Sequence, residues 1–355
     1  MSDASSLGLS SASVSPAACP AVVTTEFICE TGPHSQVHAT TIAETPTGLV
    51  AAWFGGTKEA HPDVCIWVSR QQAGGRWTGS VEAANGLQPD GTRHPTWNPV
   101  LFQPAQGSLM LFYKVGASVE KWWGELKTSD DGGATWSDAR RLPDGFFGPI
   151  KNKPVQLSNG DILCPSSDET GGWSVHFELS GGLGKTWQKI GPVNDGTTIQ
   201  AIQPSILDLG SDHLLAIGRT RQDHMFEVRS VDGGLTWGPM TLGSLPNNNS
   251  GTDAVTLADG SHLIVYNHVR GTPGEWGGKR TPLNLAASSD GKTWSAALVL
   301  ESDPGEYSYP AIIQSRDGLV HITYTWKREK VKHRVVDPSL LTLRPIVNGR
   351  WPDPA

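Results

Sequence analysis

Short apolar runs separated by glycine-containing turns recur along this chain about every 50 to 60 residues, six times in all. The runs are His38-Ala39-Thr40-Thr41-Ile42, Asn98-Pro99-Val100-Leu101-Phe102, Lys153-Pro154-Val155-Gln156-Leu157, Gln203-Pro204-Ser205-Ile206-Leu207, Asp253-Ala254-Val255-Thr256-Leu257 and Tyr309-Pro310-Ala311-Ile312-Ile313. Partner runs follow, among them Leu49-Val50-Ala51-Ala52-Trp53, Leu109-Met110-Leu111-Phe112-Tyr113, Leu214-Leu215-Ala216-Ile217 and Leu263-Ile264-Val265-Tyr266. Brief β-rich runs bounded by Gly, Asn and Asp are strand signals, and no stretch shows the 3.6-residue period of an amphipathic helix. The pattern predicts an all-β fold of six sheets, each of about four strands.

A second repeat lies between the first. It reads Ser129-Asp130-Asp131-Gly132-Gly133-Ala134-Thr135-Trp136 and Ser230-Val231-Asp232-Gly233-Gly234-Leu235-Thr236-Trp237, with a shorter copy at Ser288-Ser289-Asp290-Gly291-Lys292-Thr293-Trp294. Degenerate copies end at Trp187 and Trp77. Asp with Gly makes a tight turn, the carboxylate taking local backbone N–H groups and Gly supplying positive φ. Thr and Trp then open the next strand, the indole packing beneath it. The motif is therefore a hairpin staple. A β-rich repeat of this period points to a six-bladed β-propeller.

Composition fits that picture. The chain has 355 residues with 41 Gly, 25 Pro and 14 Trp, and only 18% are charged. Closed all-β folds of this length form one domain, so residues 26–350 read as a single propeller behind a flexible Ser- and Ala-rich segment, 1–25. No run of 18 apolar residues predicts a membrane span. The formal net charge of −7 and the lack of basic stretches argue against nucleic acid. Residues 1–20 lack the basic start and apolar block of a secretion signal, and Cys19, Cys29, Cys65 and Cys164 lack metal-ligand spacing. These features predict free thiols and a cytoplasmic protein without metal or cofactor. Asn248-Asn249-Ser250 fits the glycosylation-acceptor spacing, which matters only for a secreted chain.

In a propeller the innermost strands converge on the axis, and one rim forms a pocket. The six runs open on His38, Asn98, Lys153, Gln203, Asp253 and Tyr309, all polar at matching places. Six polar side chains around an axis predict a ligand site.

The Ser-x-Asp-x-Gly-x-Thr-Trp motif is that of the Asp-box, or BNR repeat, and over residues 30 to 345 the chain resembles the sialidase superfamily. The first blade carries Leu49-Val50-Ala51-Ala52-Trp53-Phe54, then the loop Lys58-Glu59-Ala60-His61-Pro62-Asp63, then Cys65-Ile66-Trp67-Val68-Ser69-Arg70. The resemblance implies an acid/base carboxyl in that loop, at Glu59 or Asp63, with His61 nearby. Gly305-Glu306-Tyr307-Ser308-Tyr309 resembles the segment bearing the nucleophilic tyrosine, which falls on Tyr307, with Glu306 as the adjacent base candidate. A phenol needs a neighbouring base, and it suits an anionic substrate better than a carboxylate nucleophile does. Arg219 or Arg221, and Arg280, match two members of the arginine triad that grips a substrate carboxylate. The first member belongs where this chain has Val37-His38-Ala39, and no arginine stands there.

These readings predict a carbohydrate-active enzyme, an exo-acting glycoside hydrolase on a terminal anionic or deoxy sugar other than ordinary sialic acid. An alternative is a lyase working by β-elimination beside a uronic acid: Arg219, Arg280 and Lys153 would neutralise the carboxylate, and His38 or Tyr309 would serve as base. A third reading is a non-catalytic glycan-binding propeller.

Overall fold

A computed structural model describes residues 19–272 and 277–353. Six antiparallel sheets form the body. Five follow chain order, with innermost strands Gln36–Thr45, Thr96–Phe102, Val155–Gln156, Ala201–Asp208 and Asp253–Thr256. The sixth begins at Tyr307–Gln314, continues through Val320–Trp326 and Lys330–Val336, and takes its outermost strand from the other end of the chain, Val22–Cys29. That strand pairs with Lys330–Val336 from Val22↔Val336 to Cys29↔Val331, so the ends of the chain clasp the ring shut. It begins four residues ahead of position 26, and residues 1–18 lie outside the described residues. A short strand, Arg344–Pro345, adds to the fifth sheet.

The fold is the six-bladed β-propeller that the strand pattern predicts. Apolar side chains fill the spaces between neighbouring blades. Between the third and fourth, Leu163, Phe177, Phe226 and Val228 are buried, and Trp237 stacks flat on Phe177 at 4.0 Å. Each such side chain contributes about 1.5–3 kcal/mol on burial.

The staples form as the motif predicts. Asp131 Oδ1 accepts from the amides of Ala134 and Thr135 and the Ser129 hydroxyl, and Oδ2 accepts from Thr135 Oγ1 at 2.6 Å. Asp232 and Asp290 repeat the pattern. Ser230, which opens one staple, pairs with Leu214 at the start of a second strand, whereas Arg219 at that strand's end pairs with Ile202. Five residue steps, about 17 Å, separate the two ends, so the staples lie on the rim opposite Arg219.

At the Arg219 end, four inner strands share an irregularity. Pairing slips between His38 and Thr41, Trp97 and Val100, Ile202 and Ser205, and Ser308 and Ala311. In each slip one non-glycine residue has positive φ: Ala39, Asn98, Gln203 and Tyr309. A bulge re-aims side chains, and four of them here turn side chains toward the axis. Among the described residues no disulfide joins the four cysteines.

Candidate functional site

The bulges line a cavity of about 360 Å³ on the axis, formed with His38, Glu59, Trp97, Asn98, Val119, Trp122, Glu169, Trp173, Gln203, Arg219, Arg280, Tyr309 and Arg328. That volume is within the range of small-molecule sites. Three guanidiniums, two carboxyls and three indoles share this one hollow.

Arg219 and Arg280 both line the cavity. Arg219 Nη2 donates to Tyr309 Oη at 3.0 Å, and its Nη1 donates to the Asn249 carbonyl at 2.8 Å. The third guanidinium, Arg328, went unseen in the sequence. It sits in the hairpin turn after Val320–Trp326, at positive φ, and its carbonyl accepts from the Val37 amide. This contact brings Arg328 beside the first inner strand, where an arginine of that strand was expected. Arg328 pairs with Glu59 and, through Nε at 2.9 Å, with Glu306. Glu306 also accepts from Arg280 Nη1 at 3.0 Å and from the Ser308 hydroxyl. It braces two arginines rather than serving the tyrosine.

The two tyrosines of Glu306-Tyr307-Ser308-Tyr309 have different fates. On a regular strand they would share a face. The bulge at Tyr309 breaks that alternation. Tyr307, implied as nucleophile, is 1% exposed and packs in the core with Leu283, Leu285 and Tyr324. Tyr309 is the tyrosine in the cavity, with the Arg219 and Arg280 guanidiniums and the Lys151 ammonium 5.5, 5.8 and 5.7 Å from its ring.

His38 is 2% exposed, its ring 4.2 Å from that of Tyr309 and its Nδ1 3.2 Å from Thr325 Oγ1. Burial, reinforced by Arg328, Arg280, Arg219 and Lys151, holds its pKa well below the usual imidazole range, so it is neutral. By strand register His38 matches Trp97, Ile202 and Ser308, and Ala39 takes the place of Asn98, Gln203 and Tyr309. The following prolines, 99, 204 and 310, mark this register in the sequence, with Thr40 in the proline's place.

Lys153 and Asp253 do not line the cavity. They pair at 3.0 Å on the axis, where Asp253 also accepts from Ser205 Oγ and the Ile312 amide. Blades three, four, five and six are tied through this one carboxylate. Lys151, two residues earlier, donates to the carbonyls of Thr252 and Pro310, and burial pushes its pKa down to about 7.

Asp63 and His61 also fall outside the cavity. Asp63 staples its own loop, accepting from the Thr57 amide and hydroxyl, with His61 Nδ1 at 2.7 Å. Of the two carboxyls in that loop, only Glu59 lines the hollow. Arg221 lies over the ring of Trp173 at 4.4 Å and is not among the lining residues. Asn248 is 1% exposed and donates to the Lys279 carbonyl, which leaves the glycosylation pattern inaccessible.

Glu169, Trp97, Trp122 and Trp173 are further lining residues that sequence reasoning missed. They sit in loops or beside bulges with no repeat to flag them. Among the described residues no cluster of His, Cys, Asp and Glu has the arrangement of a metal site.

Comparison with known proteins follows the same lines. The family model described as BNR repeat-like domain matches residues 47–322, well over half of the chain. The anhydrosialidase of Macrobdella decora is 25% identical over 240 residues, 58% of this chain but 30% of its own length. The chain thus spans under a third of that relative. Among solved structures, a protein of unknown function from Dyadobacter fermentans superposes with a TM-score of 0.72 at 18% identity, covering 92% of this chain and 100% of that one. The intramolecular trans-sialidase from Ruminococcus gnavus gives 0.70 at 13%, with the same coverage. The NanB sialidase from Streptococcus pneumoniae gives 0.69 at 12%, covering 91% and 71%. At these identities the superpositions establish a shared fold.

Proposed function

This chain belongs to the family of BNR repeat-like domains, a sialidase-like propeller, and on that premise we propose that it is an exo-acting glycoside hydrolase for a terminal sugar bearing a carboxylate. The observation that carries the reading is the convergence of Arg219, Arg280 and Arg328 on a hollow that also holds Tyr309 and His38. Guanidiniums pair with a carboxylate through two parallel hydrogen bonds, fixing the sugar's orientation as well as its charge. Trp97 and Trp122 also line the hollow and supply apolar surface for the sugar ring. Tyr309 is the nucleophile of this reading. Its phenolic oxygen bonds to the anomeric carbon as the bond to the leaving oxygen breaks, and neutral His38 takes the phenolic proton.

Ordinary sialic acid is not the proposed sugar. The first inner strand offers neutral His38 in place of an arginine, and Arg328 is already shared between two carboxylates. A uronic acid presents the same carboxylate on a smaller body.

One observation favours a second reading. A neutral imidazole packed against a tyrosine, beside three arginines, is also the equipment of β-elimination: the arginines acidify the C5 proton of a uronate, one group removes it and another protonates the departing O4.

The test is a screen of the purified chain against oligosaccharides capped by sialate, uronate or rhamnose. Release of a saturated acidic monosaccharide supports hydrolysis. An unsaturated uronide, seen by its ultraviolet absorbance, moves the assignment to lyase. Release of neutral rhamnose alone, with no acidic sugar bound, overturns the proposal.

A further inference from the structure

We propose that Glu169 is the proton donor to the leaving oxygen, an assignment that rests on reading the cavity as a catalytic sugar site. Four carboxyls stand in or near the hollow and compete for the role. Glu59 is ion-paired with Arg328. Glu306 is clamped by Arg280, Arg328 and Ser308. Asp63 is spent on Thr57 and His61 outside the cavity. Glu169 has neither a hydrogen bond nor an ion pair among the described residues, and it lines the cavity. A carboxyl whose oxygens are held by arginines is not free to reach a leaving oxygen.

Its position suits the task. Glu169 lies in the third blade, between Ile162–Asp168 and Ser174–Gly181, and Tyr309 lies in the sixth. In a six-bladed ring these blades face each other across the axis, so a sugar between them has the phenol on one side and the carboxyl on the other. The turn is fixed by Asp168, whose Oδ1 accepts from the Thr170 amide and hydroxyl. Charged groups facing Glu169 are Arg219 and Arg221, with Asp168 and Glu120 of like sign. Burial outweighs the arginines and raises its pKa.

The step balances. The Glu169 proton passes to the leaving oxygen as the bond to the anomeric carbon breaks, and that electron pair stays on the oxygen. Glu169 is left as a carboxylate, which Arg219 and Arg221 stabilise. It then takes a proton from the water that attacks the anomeric carbon, while the Tyr309–carbon electron pair returns to the phenolic oxygen and His38 gives back the proton it took.

Two measurements on the full chain separate this assignment from the functional reading beneath it. In infrared spectra followed through an acid titration, a carboxyl that takes up its proton above the ordinary carboxylate range should be seen, vanish in Glu169→Gln and persist in Glu59→Gln. Its absence from the native chain, or its loss in Glu59→Gln instead, overturns the assignment without any substrate. With methyl and 4-nitrophenyl glucuronides as probes, Glu169→Gln should slow the methyl glycoside by about a hundredfold or more. The nitrophenyl glycoside, whose leaving group needs no proton, should slow by less than about tenfold. Equal slowing of both, or of neither, overturns the assignment. If the native chain cleaves neither probe, hydrolysis of uronides fails as a function, and the infrared titration still decides whether Glu169 takes up its proton above that range.

Discussion

The two rims of this propeller are built from the same repeats yet satisfy their polar groups in opposite ways. On the stapled rim, every motif carboxylate is saturated by donors within four residues of it. The pKa of Asp290 is accordingly held down at about 2 by the amides of Thr293 and Lys292. On the cavity rim, four residues sit at positive φ, and Gln203 Oε1 and Arg219 Nε are buried without partners. Strain and orphaned polar atoms gather where function is expected. Ser180 Oγ and Trp294 Nε1 of the staple motifs are also buried without partners. The staple carboxylates are nonetheless finished by their own sequence, whereas the orphaned Gln203 and Arg219 atoms belong to residues that line the cavity.

The largest break in this contrast should come from the tyrosines. Tyr309→Phe, measured on whichever capped oligosaccharide the screen identifies, should lower kcat by about a thousandfold or more. Tyr307→Phe, two residues away, should leave kcat within a factor of about two, because that ring lies in the core. Equal losses would mean that the bulge does not separate their roles.

This pair also shows how far the sequence can be read. The blades and staples were legible because both rest on local rules: alternation of apolar residues, and a turn whose partners lie within a few positions. The cavity was only partly legible. His38, Asn98, Gln203, Arg219, Arg280, Glu59 and Tyr309 were all in view, but their register was not. The positive φ that turns Tyr309 toward the axis and leaves Tyr307 in the core belongs to the bulge, and only a proline after the ring residue hints at it. Arg328 and Glu169 had no signal, because their approach depends on contacts such as Val37 with the Arg328 carbonyl, across nearly the whole chain.

Arginine chemistry should give the next effect. Arg280→Lys keeps the charge but loses the two-pronged geometry, and should raise KM for an acidic sugar by roughly ten- to a hundredfold. A neutral analogue should bind the variant and the native chain alike. Loss of affinity for both would point to collapse of the Glu306 brace instead.

On the stapled rim the effect should be on stability alone. Asp290→Ala should lower the thermal midpoint by roughly 2–4 °C with kcat unchanged. The sign of its pH dependence follows from a carboxyl that titrates lower when folded. Its contribution is fully present above the ordinary carboxylate pKa of about 4, and it fades as pH falls toward about 2. The native and Asp290→Ala midpoints should therefore draw together as pH falls from about 4 and coincide only below about 2. A gap that persists there would assign the stabilisation to the turn backbone rather than the ionised carboxylate.

The smallest effect reverses the sign. Gln203 is 2% exposed, with a carbonyl oxygen that no protein group satisfies. Leaving a buried acceptor unpaired costs free energy, and replacing it by an apolar group of similar shape recovers some. Gln203→Met should therefore raise stability by about 0.5–1 kcal/mol, while weakening binding of the acidic sugar by roughly tenfold. A polar residue removed from the stapled rim costs stability; one removed from the cavity rim should return it. If Gln203→Met destabilises the chain and leaves ligand affinity untouched, the orphaned oxygen is not reserved for a ligand, and the two rims differ only in strand geometry.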